Sequence, residues 1–344
     1  MTDKFSHNLL TWHTQFGRHD LPWQKNTTPY RVWISEIMLQ QTQVATVIPY
    51  YTRFMQSFPT IKSLAQATED EILSHWSGLG YYARARNIYK TAKIIHEKYH
   101  GRFPKTVEAI SELPGIGKST AGAIVSFARQ EKAVILDGNV KRVLARYFAI
   151  QTPINEKKTI DEMWALAEKL TPEKRANHYN QAMMDLGATL CTRTKPHCND
   201  CPFTSTCQAH KQNQSTFYPI KTAKKARPVK QTRMLIIENK NREILLIKRP
   251  AKGIWGGLWS LPECDLKSQY AIFTHDNTKL KLNYIDEYEK IIHQFTHYTL
   301  EIFPMHVQTT QQKLNSLNMV WYNLTAPLPG GVATPVMKLL RDIK

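Results

Sequence analysis

Leu113-Pro-Gly-Ile-Gly-Lys-Ser-Thr120 stands between two helical segments, and Val134-Ile-Leu-Asp-Gly-Asn-Val-Lys-Arg142 follows, with Asp137 twenty residues after Gly117. Two glycines around one apolar residue permit a tight turn whose backbone N–H groups face outward. With the positive end of a helix opening at about Lys118, those donors suit a DNA phosphate. The stretch is not a nucleotide-triphosphate loop, because the G-x4-G-K-[ST] spacing is absent. Asp137 lies after an apolar run and before Gly-Asn. It reads either as the N-cap of the next helix or as a carboxylate with chemistry to do.

Outward from this stretch, the first two-thirds of the chain reads as helices. Ile61, Leu64, Ala65, Ile72, Leu73 and Trp76, then Ile88, Ala92 and Ile95, recur mostly at spacings of three and four. Thr28-Pro29 reads as an N-cap with Pro at the first helical position, opening a helix through about Gln40. Strand alternation is absent before residue 215. From Lys221 to Arg233 there are six basic residues (Lys221, Lys224, Lys225, Arg227, Lys230, Arg233) and no acidic one, the pattern of an exposed linker that can also touch phosphates. Beyond it, Met234–Glu238, Glu243–Lys248, Leu300–Phe303 and Met319–Tyr322 are short β-rich runs, and a helix is expected around Pro335–Asp342. The expected organisation is a mainly α domain over 1–215, a basic linker over 216–232 and a small α+β domain over 233–344.

The chain has 344 residues, which suits two domains with separate cores. At 42% hydrophobic and 22% charged it has the composition of a globular protein, which argues against wholesale disorder. No apolar stretch reaches the roughly 18 residues of a membrane span, and the N-terminus carries no secretory pattern. Forty-six Lys plus Arg against 28 Asp plus Glu give a net charge of +18, which points to a nucleic-acid partner rather than to solubility alone. Cys191, Cys198, Cys201 and Cys207 follow the spacing C-x6-C-x2-C-x5-C, and Cys264 stands apart. Four clustered thiols in a chain of this class suggest a metal site rather than disulfides, either tetrahedral zinc or an iron–sulfur cluster.

An LPGxG hairpin, an Asp about twenty residues on and this cysteine spacing resemble the iron–sulfur branch of the helix–hairpin–helix DNA glycosylases. Ser35-Glu-Ile-Met-Leu-Gln-Gln-Thr-Gln-Val44, Gly78-Leu-Gly-Tyr-Tyr-Ala-Arg-Ala-Arg86 and Leu136-Asp-Gly-Asn-Val-Lys-Arg-Val143 narrow the resemblance to the MutY-type adenine DNA glycosylases. It extends almost end to end. The resemblance implies hydrolysis of the N-glycosidic bond of adenine mispaired with 8-oxoguanine or guanine, in base excision repair. It also implies a [4Fe-4S] cluster on Cys191, Cys198, Cys201 and Cys207, and duplex DNA as partner. A monomer in the bacterial cytoplasm, associated with the nucleoid, is expected.

Within that resemblance Glu36 is the general acid. Its helical neighbours Val32, Trp33 and Leu39 are apolar, a setting that raises a carboxyl pKa. Asp137, held ionised at a helix N-terminus, either stabilises the cationic sugar or attacks it. Related bifunctional enzymes carry Lys where this chain has Ser119, so base removal without efficient strand cleavage is expected. Gln40, Gln41 and Tyr81 resemble residues that fill or wedge the duplex. Gly115, Gly117, Lys118, Ser119 and Lys141 are expected at phosphates, and Gln181 in the base pocket, where some relatives carry Glu. Residues 233–344 resemble a Nudix-like domain, with Lys248-Arg-Pro and Trp255–Pro262 but without the acidic helix that holds Mg²⁺ in nucleotide hydrolases. Phe295-Thr296-His297 matches a lesion-reading Phe-Ser-His loop, with Thr keeping the hydroxyl. A glycosylase for mismatched thymine or oxidised pyrimidines, a Nudix nucleotide hydrolase and a non-catalytic DNA-binding protein are the alternatives.

Overall fold

The computed structural model of the chain describes residues 2–222, 226–267 and 270–343. Its helices are α1 (Thr2–Phe16), α2 (Pro29–Leu39), α3 (Val44–Ser57), α4 (Ile61–Gln66), α5 (Glu69–Trp76), α6 (Ala83–Lys98) and α7 (Val107–Ser111). They continue as α8 (Lys118–Arg129), α9 (Gly138–Tyr147), α10 (Lys157–Leu170), α11 (Ala176–Thr189), α12 (Gln208–Lys211) and α13 (Thr334–Asp342). The strands are β1 (Val229–Glu238), β2 (Ile244–Lys248), β3 (Trp259–Ser260), β4 (Glu263–Cys264) and β5 (Ile272–His275), then β6 (Thr278–Lys281), β7 (Asn283–Glu287), β8 (Ile291–Gln294), β9 (Thr299–Gln308) and β10 (Met319–Tyr322). The chain divides into two compact units, Met1–Ser63 with Lys90–Lys224, and Leu64–Tyr89 with Lys225–Lys344.

The first unit is helical. Phe5 and Leu9 of α1, Val140 and Leu144 of α9, Met163 of α10 and Met183 and Leu186 of α11 share one buried core, in which Phe5 stacks on Phe203 at 4.2 Å. Thr28 caps α2 by accepting from the Arg31 N–H, and Pro29 occupies its first position. Between α7 and α8 the hairpin turns at Gly115, whose φ of 77° is one that glycine alone adopts without strain. Gly122 is required for a different reason. A Cβ there would meet the Val134 carbonyl oxygen at 2.1 Å, so its absence lets α8 lie against the segment that delivers Asp137.

In the second unit the central sheet runs β10-β2-β1-β9-β7, with β1 and β9 parallel and the other pairs along this path antiparallel. Leu235, Ile237, Leu245, Met305 and Val307 build its core. β1 begins at Val229, so residues 229–232 are strand rather than linker; pairing Val229 with Thr299 supplies the ladder that sequence composition did not advertise. Lys224 and Lys225 of the expected linker lie outside the described residues. The segment 64–89 joins this unit through specific contacts. Lys248 Nζ meets Asp70 Oδ2 at 2.6 Å, Arg86 donates to the Gly256 carbonyl, and Tyr82 donates to the Val332 carbonyl at 3.1 Å. No helix is long and apolar enough to cross a membrane, among the described residues.

Candidate active site

A cavity of about 820 Å³ opens in the helical unit, and Glu36, Gln40, Gln41, Ser119, Asp137 and Gln181 all line it. Glu36 sits on α2, one residue after buried Ser35, and burial pushes its carboxyl up to about 8, with the Asp137 charge acting in the same direction. Asp137 is the N-cap of α9: Oδ1 accepts from the Val140 N–H at 2.8 Å and Oδ2 from the Asn139 side-chain amide at 3.0 Å. Capping and chemistry are therefore not exclusive readings of this residue. Burial raises the Asp137 pKa despite those donors, where the helix terminus alone suggested an acid held firmly ionised. Desolvation outweighs the cap. The donors at Asp137 favour its anion, whereas burial and the Asp137 charge both act against ionisation of Glu36.

Ser119 fixes the approach to Asp137. Its hydroxyl accepts from the Leu136 N–H at 3.0 Å, just before Asp137 in the chain. Gly115, Gly117, Lys118 and Lys141 lie in the same unit outside the cavity wall. Gly117 is the N-cap of α8 and makes no side-chain cap, while Lys118 rests its ammonium 4.3 Å from the centre of the Trp164 ring.

Tyr81 and Phe295–His297 belong to the other unit. Tyr81 is 48% exposed at φ 50°, beyond two glycines of positive φ, Gly78 and Gly80, while its neighbour Tyr82 is buried. It is no core aromatic. Phe295, Thr296 and His297 form the tip of the β8–β9 hairpin, closed by the Phe295 N–H to the Tyr298 carbonyl at 2.9 Å. The Phe295 ring leans on His293 (4.5 Å), Tyr298 (4.8 Å) and Trp255 (5.3 Å), leaving Thr296 and His297 exposed.

Cys191, Cys198, Cys201 and Cys207 line one small cavity beside α9. Among the described residues no three His, Cys, Asp or Glu side chains form a ready single-ion site. The surroundings nevertheless fit a group that carries negative charge on sulfur. Arg146, 2% exposed, donates to Cys191 Sγ at 3.3 Å and to the carbonyls of Tyr218, Thr192 and Arg193, with no carboxylate paired to it among the described residues. A buried guanidinium left without a counter-charge is costly, and a thiolate-bound metal group supplies one. Burial pushes the Cys201 thiol up to about 12, the charges of Cys191, Cys207 and Cys198 adding to it, so these thiols do not ionise together without a cation among them.

Three features had no signal in the sequence: His13 and Arg18 of the cavity wall, and the buried Asp185 that holds them. His13 and Asp185 stand 172 residues apart.

Residues 34–169 match the HhH-GPD superfamily of base excision DNA repair proteins, and residues 233–342 match the NUDIX domain family. The adenine DNA glycosylase of Buchnera aphidicola subsp. Baizongia pistaciae is 45% identical over 99% of this chain and 97% of its own length. The chain belongs to the adenine DNA glycosylase family. The adenine DNA glycosylase of Rattus norvegicus is 35% identical over 86% of this chain and 69% of its own. A solved thermostable thymine-DNA glycosylase superposes with a TM-score of 0.57 at 30% identity, over 61% of this chain and 97% of that one. As a MutY-type adenine DNA glycosylase, the chain is an enzyme of base excision repair that acts on DNA. The likeness to a thymine glycosylase reflects the shared helical fold, since full-length identity runs to adenine DNA glycosylases.

Proposed function

We propose that the chain removes adenine paired with 8-oxoguanine or guanine, with Glu36 as general acid and Asp137 as the carboxylate that meets the sugar cation. The observation that carries this reading is one cavity lined by both carboxylates, with Glu36 pushed up to about 8. An adenine swung out of the stack enters the cavity. Glu36 gives its proton to a ring nitrogen as the bond from C1′ breaks and its electron pair passes to the base. The Asp137 anion faces the oxocarbenium-like C1′, or bonds to it transiently. Glu36, now a carboxylate, takes a proton from the water whose oxygen joins C1′.

In the same reading, the helical unit carries the chemistry, residues 216–228 connect, and the sheet-bearing unit reads the lesion through Phe295, Thr296 and His297. Gln40, Gln41 and Tyr81 support the opened duplex. Gly115, Gly117, Lys118, Ser119 and Lys141 hold phosphates. Duplex DNA with the mispair is the partner, and the enzyme works as a monomer in the cytoplasm. A [4Fe-4S] group on Cys191, Cys198, Cys201 and Cys207 fits the donor set and the Arg146 counter-charge, and with four thiolates its coordination is closed, so it orders the 191–207 loop. Cys198→Ala is expected to lose bound iron and broad visible absorbance and to melt at lower temperature. A colourless wild-type preparation containing zinc reverses the metal assignment.

The test is a duplex with adenine opposite 8-oxoguanine, incubated with purified protein and then with alkali. Strand breaks are expected after alkali and not before it, because Ser119 places no amine at the sugar. Intact DNA after alkali overturns the reading.

A further inference from the structure

Asp185 on α11 is 1% exposed and stands behind the cavity wall rather than in it. Among the described residues, the five donors to its carboxylate nevertheless come from three residues that line the cavity. Oδ2 accepts from His13 Nε2 at 3.1 Å and from the Arg18 backbone N–H at 2.8 Å. Oδ1 accepts from Arg18 Nε at 2.9 Å, from its Nη2 at 2.6 Å, and from Gln181 Nε2 at 2.9 Å. Burial alone raises a carboxyl pKa, but the His13 and Arg18 donors outweigh it here and hold Asp185 below its ordinary value. An ionised carboxylate only accepts hydrogen bonds.

That property decides which way the Gln181 amide points. With its nitrogen held by Asp185, the oxygen is the atom left to the cavity. The opposite orientation would set the amide oxygen against a carboxylate oxygen at hydrogen-bond distance, which is repulsive. We infer that Asp185 is a positioning residue that sets base specificity: by locking the Gln181 amide it presents an acceptor to the exocyclic amino group of adenine and turns away a base with a carbonyl oxygen there. Adenine carries a donor at N6, and guanine an acceptor at O6. Gln181 then offers the oxygen that a glutamate at this position would, but only Gln needs a partner to keep it so.

The inference rests on the reading that the excised base occupies this cavity. It is tested by single-turnover excision from two duplexes, adenine or hypoxanthine opposite 8-oxoguanine; hypoxanthine replaces the amino group by a carbonyl oxygen. Comparing each variant's adenine-to-hypoxanthine ratio with that of the wild type cancels the intrinsic difference between the leaving groups. Asp185→Asn offers Gln181 either an amide hydrogen or an oxygen and so frees it to turn over. The ratio is expected to fall by about tenfold, the worth of one good base-edge contact. Asp185→Asn with Gln181→Glu is expected to restore it, because glutamate has no donor to misplace. The double variant also returns a carboxylate to the side of Arg18, so it carries the test if the single variant does not fold. Equal slowing of both bases by Asp185→Asn, or a double variant without discrimination, overturns the inference. Glu36→Gln measured alongside separates the two levels. An active Glu36→Gln enzyme sinks the cavity reading itself, whereas an inactive one beside an unchanged Asp185→Asn ratio sinks the inference alone.

Discussion

Glu36→Gln is expected to slow adenine excision by about 10²–10⁴-fold, the usual contribution of a positioned general acid. The substitution keeps shape and removes the transferable proton. It also removes the charge that Glu36 and Asp137 would otherwise contest. The pH profile gives the sharper signature. As the general acid of the proposed function, Glu36 is competent when protonated, and its pKa is pushed up to about 8 by burial and by the Asp137 charge. The wild-type single-turnover rate should therefore hold below that pH and fall as pH rises through it, and the Gln variant's residual rate should lack this limb. Stability moves with the same sign. The folded pKa lies above the ordinary value of 4.5, so stability present below 4.5 is lost as pH rises through about 8. Glu36→Gln should thus melt higher than wild type at pH 9 and near it at pH 4. A rate limb surviving in the Gln variant would assign the acid elsewhere.

Asp137→Asn is expected to reduce excision by about 10²–10³-fold, the cost of deleting one preorganised electrostatic contact to the developing charge. This substitution separates two roles that share one side chain. Asn caps helices as well as Asp does, so it can keep the acceptor for the Val140 N–H while surrendering the charge. Its melting temperature should stay at the wild-type value or rise, because the buried charge is gone. Asp137→Ala removes cap and charge together and should cost a further ~1 kcal/mol of stability. Duplex binding should persist in the Asn variant. Rate retained in Asp137→Asn, or rate lost only in proportion to stability, would leave Asp137 as a cap and nothing more.

What lay open in the sequence was local. The Leu113–Thr120 turn, the Thr28 cap with Pro29, the end of α2 at Leu39, the four cysteines within 17 residues and the β-rich runs after Met234 are all written in spacings of a few residues. Turn and cap chemistry act over that range, so the residues that carry it can be read in place. A helix face placed Glu36 and a helix start placed Asp137, but the family resemblance of the longer motifs, not the spacing, singled them out.

Their energetics were not. How far each carboxyl is desolvated depends on what closes over it, and burial rather than the helix terminus turned out to govern Asp137. The His13–Asp185 and Arg18–Asp185 contacts span 172 and 167 residues, and nothing in either stretch announces the other. The segment 64–89 reads as more helix of the first domain, yet Asp70 and Tyr82 bind it to residues 225–344. Sequence determined the elements, because short-range hydrogen bonding and periodicity suffice for those, and the family resemblance of the longer motifs singled out the two carboxylates. Only the tertiary structure decided how each carboxyl is surrounded and which groups stand beside Gln181, because both depend on residues brought together from distant parts of the helical unit.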